Sequence, residues 1–224
     1  MTDPTDPSPT DPSPTDPPAV PLPMFPLGMV LFPYMPLAVH VFEPRYRALV
    51  RDCLRDRREF GVVLIERGSE VGGGDQRFSV GTVAHITETS EYRDGRWDVL
   101  GKGTRRVRVA TWLPDDPYPL ALTVERPDQG DDDIDPDALT EADQAVRRAL
   151  ALLSELGEVG RAPATYALNP EPRLAVWQLA VIAPVSAIDQ QRVLEVDDAN
   201  QRLRTLTQLA ADAAAVLAYR LSGG

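Results

Sequence analysis

The sequence predicts an α+β fold in which a β-barrel-type domain is followed by an α-helical bundle. Short apolar runs follow one another closely over residues 19–126, and the apolar period changes to 3.6 residues over 140–224. An acidic, turn-rich connector separates the two over 127–139. About seven short strands at such spacing are typical of a barrel or a sandwich.

The first segment, residues 1–18, repeats a Thr-Asp-Pro-Ser-Pro unit and offers no apolar run to bury. We therefore expect a disordered, extended tail. The tail holds four aspartates and no base, while residues 125–143 hold nine acids against one arginine. These two segments carry charges of −4 and −8 against a net charge of −11 for the whole chain, so the remainder is near neutral at +1. Net charge alone thus excludes no class of partner.

The barrel strands are predicted from apolar runs that begin beside prolines or glycines. A loop is expected at the glycines 72–74, and Asp94-Gly95 between two runs predicts a hairpin with a type I′ turn. The predicted strands are MVLF (29–32), PLAVHVF (36–42), FGVVLIE (60–66), FSVGTVAHITETSEY (78–92), RWDVLGKG (96–103), TRRVRVATWL (104–113) and PLALTVE (119–125).

One helix is predicted inside the barrel region, over residues 44–58, with Pro44 at its first position. Its apolar stripe contains Tyr46, Leu49, Val50, Cys53 and Leu54. In the bundle region, capping signals and apolar periods predict four helices. The first starts at a Thr140–Asp143 capping box and the second spans 172–183. The third starts at a Ser186–Asp189 cap, and the fourth starts at Asp197 or Asp198.

No group of residues forms a catalytic, metal-binding or cofactor-binding signature. Cys53 lies on an apolar stripe, which predicts a buried, inert thiol, and it excludes an intramolecular disulfide because it is the single cysteine. His40 and His85 lie in strands, where packing or surface roles are expected. The glycines at 72–74 lack the Gly-Lys-Ser/Thr of a phosphate loop. No secretory signal or spanning segment is visible, so we expect a cytoplasmic protein.

Arginines form the main charged feature. Four of them line one face of the predicted helix, and three more cluster in a later strand. They are interpreted either as an anion- or nucleic-acid-binding face or as the solvated face of an amphipathic helix, which the sequence favours. The two groups are Arg47, Arg51, Arg55 and Arg58, and Arg105, Arg106 and Arg108.

An ordered set of segments resembles the amino-terminal substrate-binding domain of Lon proteases, and in particular the stand-alone bacterial proteins built from that domain alone. The resemblance covers about residues 22–220, and its most specific element is Phe-Glu-Pro-Arg-Tyr-Arg at 42–47. The segments are FPLGMVLFPYMPLAVHVFEPRYRALV, FGVVLI, VGTVAHI, DGRWDVLGKGTRRVRV and AIDQQRVLEVDDANQRLRTL.

The resemblance implies a PUA-like β-barrel followed by an α-helical bundle. In Lon this region helps to select and hold substrate polypeptides, whereas the AAA+ motor and the Ser-Lys protease lie further along the chain. This sequence ends at Gly224 without a Walker motif, so no enzyme activity is expected. The expected function is that of a polypeptide-binding module, a substrate-recognition or adaptor protein in proteolysis. Its expected partners are unfolded or specific polypeptides and a separate ATP-dependent protease, with no membrane and no nucleic acid.

The corresponding region of Lon also suggests where a partner binds. Phe42, Pro44 and Tyr46 are expected to hold the helix on the barrel. Glu43, near the helix N-terminus, is expected to favour the helix dipole and to pair with Arg45 or a barrel arginine. The candidate partner-binding residues are Glu43, Arg45, Arg47, Arg51 and Arg55.

Three hypotheses make different structural predictions. A polypeptide-binding module predicts exposed apolar surface where barrel and bundle meet. An RNA-binding protein, the alternative suggested by other PUA-like barrels, requires both arginine groups to converge on one face. A hydrolase requires Cys53 to be exposed beside a histidine.

Overall fold

The computed structural model describes residues 19–67 and 76–223. The predicted tail at 1–18 and the loop at 72–74 lie outside the described residues. The strands are β1 (Val20–Leu27), β2 (Pro36–Val41), β3 (Glu59–Arg67), β4 (Gln76–Glu91), β5 (Trp97–Leu113) and β6 (Leu120–Glu125). The helices are α1 (Pro44–Arg55), α2 (Pro136–Glu155), α3 (Pro172–Ile182), α4 (Ala187–Glu195) and α5 (Ala199–Leu221).

The strands form one sheet in the order β2-β5-β4-β3-β1-β6, and a further pairing of β5 with β6 closes a ring of five strands. β1 and β3 are parallel, whereas the other neighbours are antiparallel. β2 lies outside the ring and pairs with the first part of β5, from Pro36 opposite Lys102 to Val41 opposite Trp97. The predicted α+β fold, a β-barrel followed by a helical bundle, is confirmed.

The predicted strand at 29–32 is wrong, because the preceding segment, with three prolines, forms β1 instead. The N–H of Met24 donates to the carbonyl of Pro119, so even-numbered residues of β1 carry the hydrogen bonds to β6. Pro21 and Pro23 occupy the other positions, where no N–H is needed on that side. The run 29–32 is largely buried without being a strand.

The two runs predicted at 96–103 and 104–113 form one continuous strand, β5. The predicted hairpin between β4 and β5 is confirmed, but its turn type is not I′. The N–H of Gly95 donates to the carbonyl of Tyr92, and Gly95 has a positive φ of 80°, whereas Asp94 does not. This arrangement is a type I turn followed by a left-handed glycine.

Helix ends differ from the predictions at two places. α1 ends at Arg55 and not at residue 58. α2 begins at Pro136, because Asp135 accepts a hydrogen bond from the N–H of Asp137 and caps the helix, so the capping box predicted at Thr140 is wrong. The Ser186 cap of α4 and the Asp198 cap of α5 are confirmed. None of the helices within the described ranges is long and apolar enough to cross a membrane.

Barrel and bundle share a hydrophobic core. Phe32 of the barrel side lies with its ring centroid 5.6 Å from that of Trp177 in α3, and both side chains are buried. Val30 and Val80 belong to the same cluster as Leu203 of α5. The apolar surface predicted to be exposed where barrel and bundle meet is therefore largely buried between the two units, and a cleft lined in part by Tyr34, Met35 and Leu174 remains open beside it.

A buried arginine completes the junction. The side chain of Arg106 in β5 is fully buried, and it donates to the carbonyls of Leu194 at 2.9 Å, Val196 at 3.1 Å and Pro127 at 3.2 Å. These carbonyls belong to the end of α4 and to the connector. A single guanidinium, with five donors in a fixed fork, thus satisfies backbone groups that burial would otherwise leave unpaired.

Two aspartates offset part of the positive charge around Arg106. Asp128 lies 2.8 Å from Arg106 and 2.6 Å from Arg202, whose guanidinium carbon is 3.8 Å from the ring centroid of Trp177. Asp197 lies 3.0 Å from Arg106 and 2.6 Å from Arg126. Burial favours a higher pKa for Asp197, but the hydrogen bond and charge of Arg126 outweigh it and hold the pKa below its ordinary value.

Candidate functional site

A groove of 250 Å³ lies beside β2, and none of its lining residues belongs to the bundle. One wall is the end of β1 and the chain that follows it, through Met29. The other wall is the unbroken stretch of residues 38–43, so the backbone of β2 itself forms part of the surface. The lining residues are Phe25, Leu27, Met29, Ala38, Val39, His40, Val41, Phe42, Glu43 and Tyr46.

The edge of β2 that faces the groove has no strand beside it among the described residues, since β2 pairs with β5 alone. The register of this pair is unbroken, and the N–H of Gly103 donates to the carbonyl of Met35. In an antiparallel ladder the hydrogen-bonded positions alternate, so odd-numbered residues of β2 bond to β5. The backbone groups of Ala38 and His40 consequently point away from β5.

Two apolar side chains beside this edge are exposed to solvent. Phe42 is 50% exposed and Met29 is 38% exposed. The sequence predicts a structural role for Phe42, which this exposure contradicts. A signal for it was present, because Leu37 and Val41 point inward and the period of two therefore places Phe42 outward.

The other two apolar or rigid residues of the Phe-Glu-Pro-Arg-Tyr-Arg motif act as predicted. Pro44 occupies the first turn of α1. Tyr46 is buried, and its ring stacks on that of Phe25 with 4.2 Å between centroids. This contact holds the start of α1 against the barrel and forms part of the groove lining.

Glu43, which belongs to the groove lining, forms an ion pair with Arg45. Their side chains are 3.1 Å apart and only 17% and 18% exposed, respectively. The pairing predicted between them is confirmed. Glu43 is also the residue that precedes α1, although its side chain makes no capping hydrogen bond. The guanidinium carbon of Arg45 lies 4.5 Å from the ring centroid of Tyr46, so the pair is fixed against an aromatic surface.

The predicted arginine row along α1 is largely neutralised. Arg51 lies 3.3 Å from Glu91 in β4, and Arg55 lies 3.2 Å from Asp52. The guanidinium of Arg47 packs against Gly95 in the β4–β5 turn, where a side chain on the glycine would collide with it. Because two of these cations have acidic partners, the row resembles a solvated helix face more than an anion site. Its last member, Arg58, lies beyond the helix and donates to the carbonyl of Ile86 at 3.2 Å.

The second arginine group does not join the first. Arg106 is buried in the junction, and Arg108 is exposed. Arg105 makes a two-point pair with Glu59, with both distances 2.9 Å, and this hydrogen bonding lowers the pKa of Glu59. An RNA-binding face built from all three arginines is therefore not formed, since Arg106 has no exposed surface to contribute.

Cys53 is buried, as predicted, and its Sγ donates to the carbonyl of Glu59 at 3.2 Å. Burial raises the pKa of this thiol to about 12, which suppresses the reactive thiolate. The exposed Cys53 that the hydrolase hypothesis requires is therefore not found.

His40 is exposed, with Nδ1 2.7 Å from Asp98. Ser90 faces the other side of Asp98 in the sheet register, so the aspartate lies between serine and histidine. A catalytic triad needs the imidazole in that middle position. Among the described residues, no group of three or more His, Cys, Asp or Glu side chains is placed to hold a metal ion.

Comparison with known proteins gives one consistent result. The family model of the ATP-dependent protease La (LON) substrate-binding domain matches residues 21–212. Lon protease 2 of Herpetosiphon aurantiacus is 28% identical over 186 residues, which cover 80% of this chain and 22% of that protein. A Lon protease of Methylocella silvestris is 28% identical over 198 residues, or 85% of this chain and 24% of that protein. The chain thus spans less than a quarter of the length of these relatives.

Solved structures agree with the fold. The crystal structure of a Lon N-terminal domain protein from Xanthomonas campestris is similar with a TM-score of 0.62 and 29% identity, and the match covers 84% of this chain and 96% of that one. The N-terminal domain of a Mycobacterium avium complex Lon protease is similar with a TM-score of 0.58 at 15% identity, over 86% of this chain and 99% of that one.

Proposed function

The chain belongs to the family of ATP-dependent protease La (LON) substrate-binding domains, and from this premise we propose that it is a non-catalytic, cytoplasmic module that binds unfolded polypeptides in the groove beside β2. The observation that carries the proposal is the exposure of Phe42 and Met29 on the two sides of that groove. Large apolar side chains clustered at a concave surface are typical of interaction sites.

The charged residues beside the groove indicate which polypeptide segments it favours. Glu43 belongs to the lining and is paired with Arg45, which leaves the groove close to neutral. Such a surface favours uncharged, apolar segments, which unfolded chains expose and folded chains bury. Arg47, Arg51 and Arg55 follow on α1, and we propose that they contact flanking parts of a bound chain.

The proposal extends to an adaptor role in proteolysis. In this role the module holds a polypeptide and brings it to a separate ATP-dependent protease. The support is the family itself, whose description names substrate binding. Co-sedimentation of the protein with a Lon protease, with and without an unfolded polypeptide, tests the role, and no co-sedimentation in either condition would refute it.

Polypeptide binding itself is tested by fluorescence anisotropy with a labelled, reduced and carboxymethylated protein as a permanently unfolded probe. We expect saturable binding that changes little between low and high salt, because apolar contacts are not screened. A labelled single-stranded RNA is titrated in parallel, and binding of the RNA alone, abolished by salt, would overturn the proposal.

The groove is tested by the variant Met29→Ser/Phe42→Ser. Two exposed apolar side chains are removed, so we expect affinity to fall by about tenfold with little change in stability. The matched control is Val216→Ser on α5, a side chain that is 61% exposed and outside the groove lining. Equal affinities for both variants and the unchanged protein would place binding elsewhere.

A further inference from the structure

The free edge of β2 determines how a polypeptide is held. We propose that an extended segment of an unfolded chain adds to this edge as a further β-strand, an inference that rests on the proposed function and specifies its mechanism. The donors and acceptors are already positioned, since the backbone groups of Ala38 and His40 point away from β5 and into the region that the groove occupies. Strand addition supplies main-chain partners for such groups.

The edge lacks the devices that usually prevent strand addition. Proteins protect sheet edges with charged side chains, prolines, bulges or covering segments. β2 contains no Lys, Arg, Asp or Glu, and its register with β5 shows no bulge. Its one proline, Pro36, stands at the first position and leaves the rest of the edge open.

The surroundings of the edge fit an occupant with alternating apolar residues. Successive side chains of an added strand point to opposite faces. On the inward side the groove lining includes Phe25, Leu27 and Tyr46. On the outward face lie the exposed Phe42 and Leu100, beside a second cavity of 460 Å³ over β2, β5 and β4. Main-chain hydrogen bonds are independent of sequence, so such a site accepts many unfolded segments and selects mainly for extended, uncharged ones.

The charged groups near the edge are paired with each other. Glu43 is bound to Arg45. His40 contacts Asp98, which also accepts a hydrogen bond from Tyr92 at 2.5 Å. A strand that carries acidic or basic residues at the centre therefore gains no ionic partner here, and it loses solvation of its own charge.

The first test compares two proline variants. Ala38→Pro removes an N–H that points to the free edge, whereas Val39→Pro removes one that bonds to β5. We expect Ala38→Pro to fold and to bind the unfolded probe about tenfold more weakly, by loss of a hydrogen bond and a steric clash with the added strand. Val39→Pro is expected to reduce stability instead. Ala38→Ser, which keeps the N–H, should bind more tightly than Ala38→Pro, and Val216→Ser, outside the groove lining, serves as the control.

The second test needs no variant. Amide hydrogen exchange is followed by NMR with a peptide of alternating valine and threonine, about six residues long. We expect the amides of Ala38 and His40 to become protected by at least about tenfold at saturation, whereas those of Val39 and Val41 are protected from the start. A peptide of the same sequence with alternate backbone nitrogens methylated should not bind.

The outcomes separate the two proposals. If the unfolded probe does not bind the unchanged protein, the proposed function fails. If it binds, but Ala38→Pro binds equally well and the amides of Ala38 and His40 stay unprotected, strand addition is wrong and polypeptide binding stands. If those amides are protected without any peptide and sedimentation shows a dimer, the edge is occupied by a second copy of the chain and the inference is overturned.

Discussion

The barrel–bundle junction and the edge of β2 both contain backbone polar groups and apolar side chains. At the junction these groups are paired or buried, whereas at the edge they face solvent. At the junction, backbone carbonyls accept hydrogen bonds from the buried guanidinium of Arg106, and apolar side chains pack around Trp177. At the edge, backbone groups of β2 face a groove and Phe42 remains half exposed. The backbone groups of the junction are hydrogen-bonded within the chain, whereas those at the edge of β2 can still bind a partner.

This difference predicts that the junction contributes mainly to stability and the edge of β2 mainly to binding. A buried polar group without a partner costs free energy, so a junction between two units must be completed by the chain itself. A solvent-facing edge costs little, because water satisfies its groups until a ligand replaces the water. Substitutions in the junction should therefore act on unfolding, and substitutions at the edge should act on affinity. The expected effects below run from the largest to the smallest.

The largest effect is expected for Arg106→Met. Removal of this side chain leaves three carbonyls and the carboxylates of Asp128 and Asp197 without their shared cation, which should cost about 3–5 kcal/mol in the free energy of unfolding. Urea unfolding measures the loss. Arg108→Met, two residues further along β5 and exposed, is the control and should change stability by less than about 0.5 kcal/mol. A variant at Arg106 as stable as the unchanged protein would show that the junction is not held in this way.

The next comparison uses two aromatic residues of one motif. Tyr46→Ala removes a buried ring that stacks on Phe25 and should destabilise the protein by up to about 5 kcal/mol. Phe42→Ala removes an exposed ring and should cost less than about 1 kcal/mol, while it weakens polypeptide binding. Thermal unfolding and anisotropy on the same samples give both quantities. The distinction between the regions fails if Phe42→Ala destabilises as much as Tyr46→Ala.

A pH dependence should follow from Asp197. Its folded pKa is lower than its unfolded pKa, so its contribution is present at neutral pH and is lost as pH falls through the folded value, below about pH 4. Because the carboxylate is partly exposed, the contribution is about 1 kcal/mol. Unfolding free energies of Asp197→Asn and the unchanged protein, measured from neutral to acidic pH, should converge at low pH. A constant gap across that range would contradict the assignment.

The smallest effect is expected at the exposed pair of Arg51 and Glu91, which lie 3.3 Å apart. Such a surface pair should contribute less than about 0.5 kcal/mol. A double-mutant cycle with Arg51→Ala and Glu91→Ala measures the coupling between them. A larger coupling that persists in high salt would mean that α1 is held on β4 by charge and not by its apolar face.

Local patterns were sufficient to predict the general architecture from the sequence. The change from period two to period 3.6 predicts barrel and bundle, and the side chains of Ser186 and Asp198 start their helices where predicted. α2 starts earlier because Asp135 and Pro136 provide a stronger start than Thr140. β1 was missed because its prolines occupy positions that do not donate to β6, which depends on the register with that distant strand.

The site was predicted in part. The pairing of Glu43 with Arg45 and the burial of Tyr46 follow from local sequence. The burial of Arg106 does not, because it depends on carbonyls 88 and 90 residues away, at the end of α4 and just after it. The open edge of β2 is also a property of the whole sheet, since a strand becomes an edge only when no other strand pairs with it.

The length of β5 has a mechanical consequence. This strand of 17 residues pairs with β2 near its start and contains Arg106 further along, so a single extended backbone connects the edge to the junction. A chain added to β2 and pulled along its own length would load the ladder between β2 and β5 in shear, with its hydrogen bonds sharing the force. That force would pass along β5 to Arg106 and its contacts with the end of α4, so traction on a bound chain would act directly on the barrel–bundle junction.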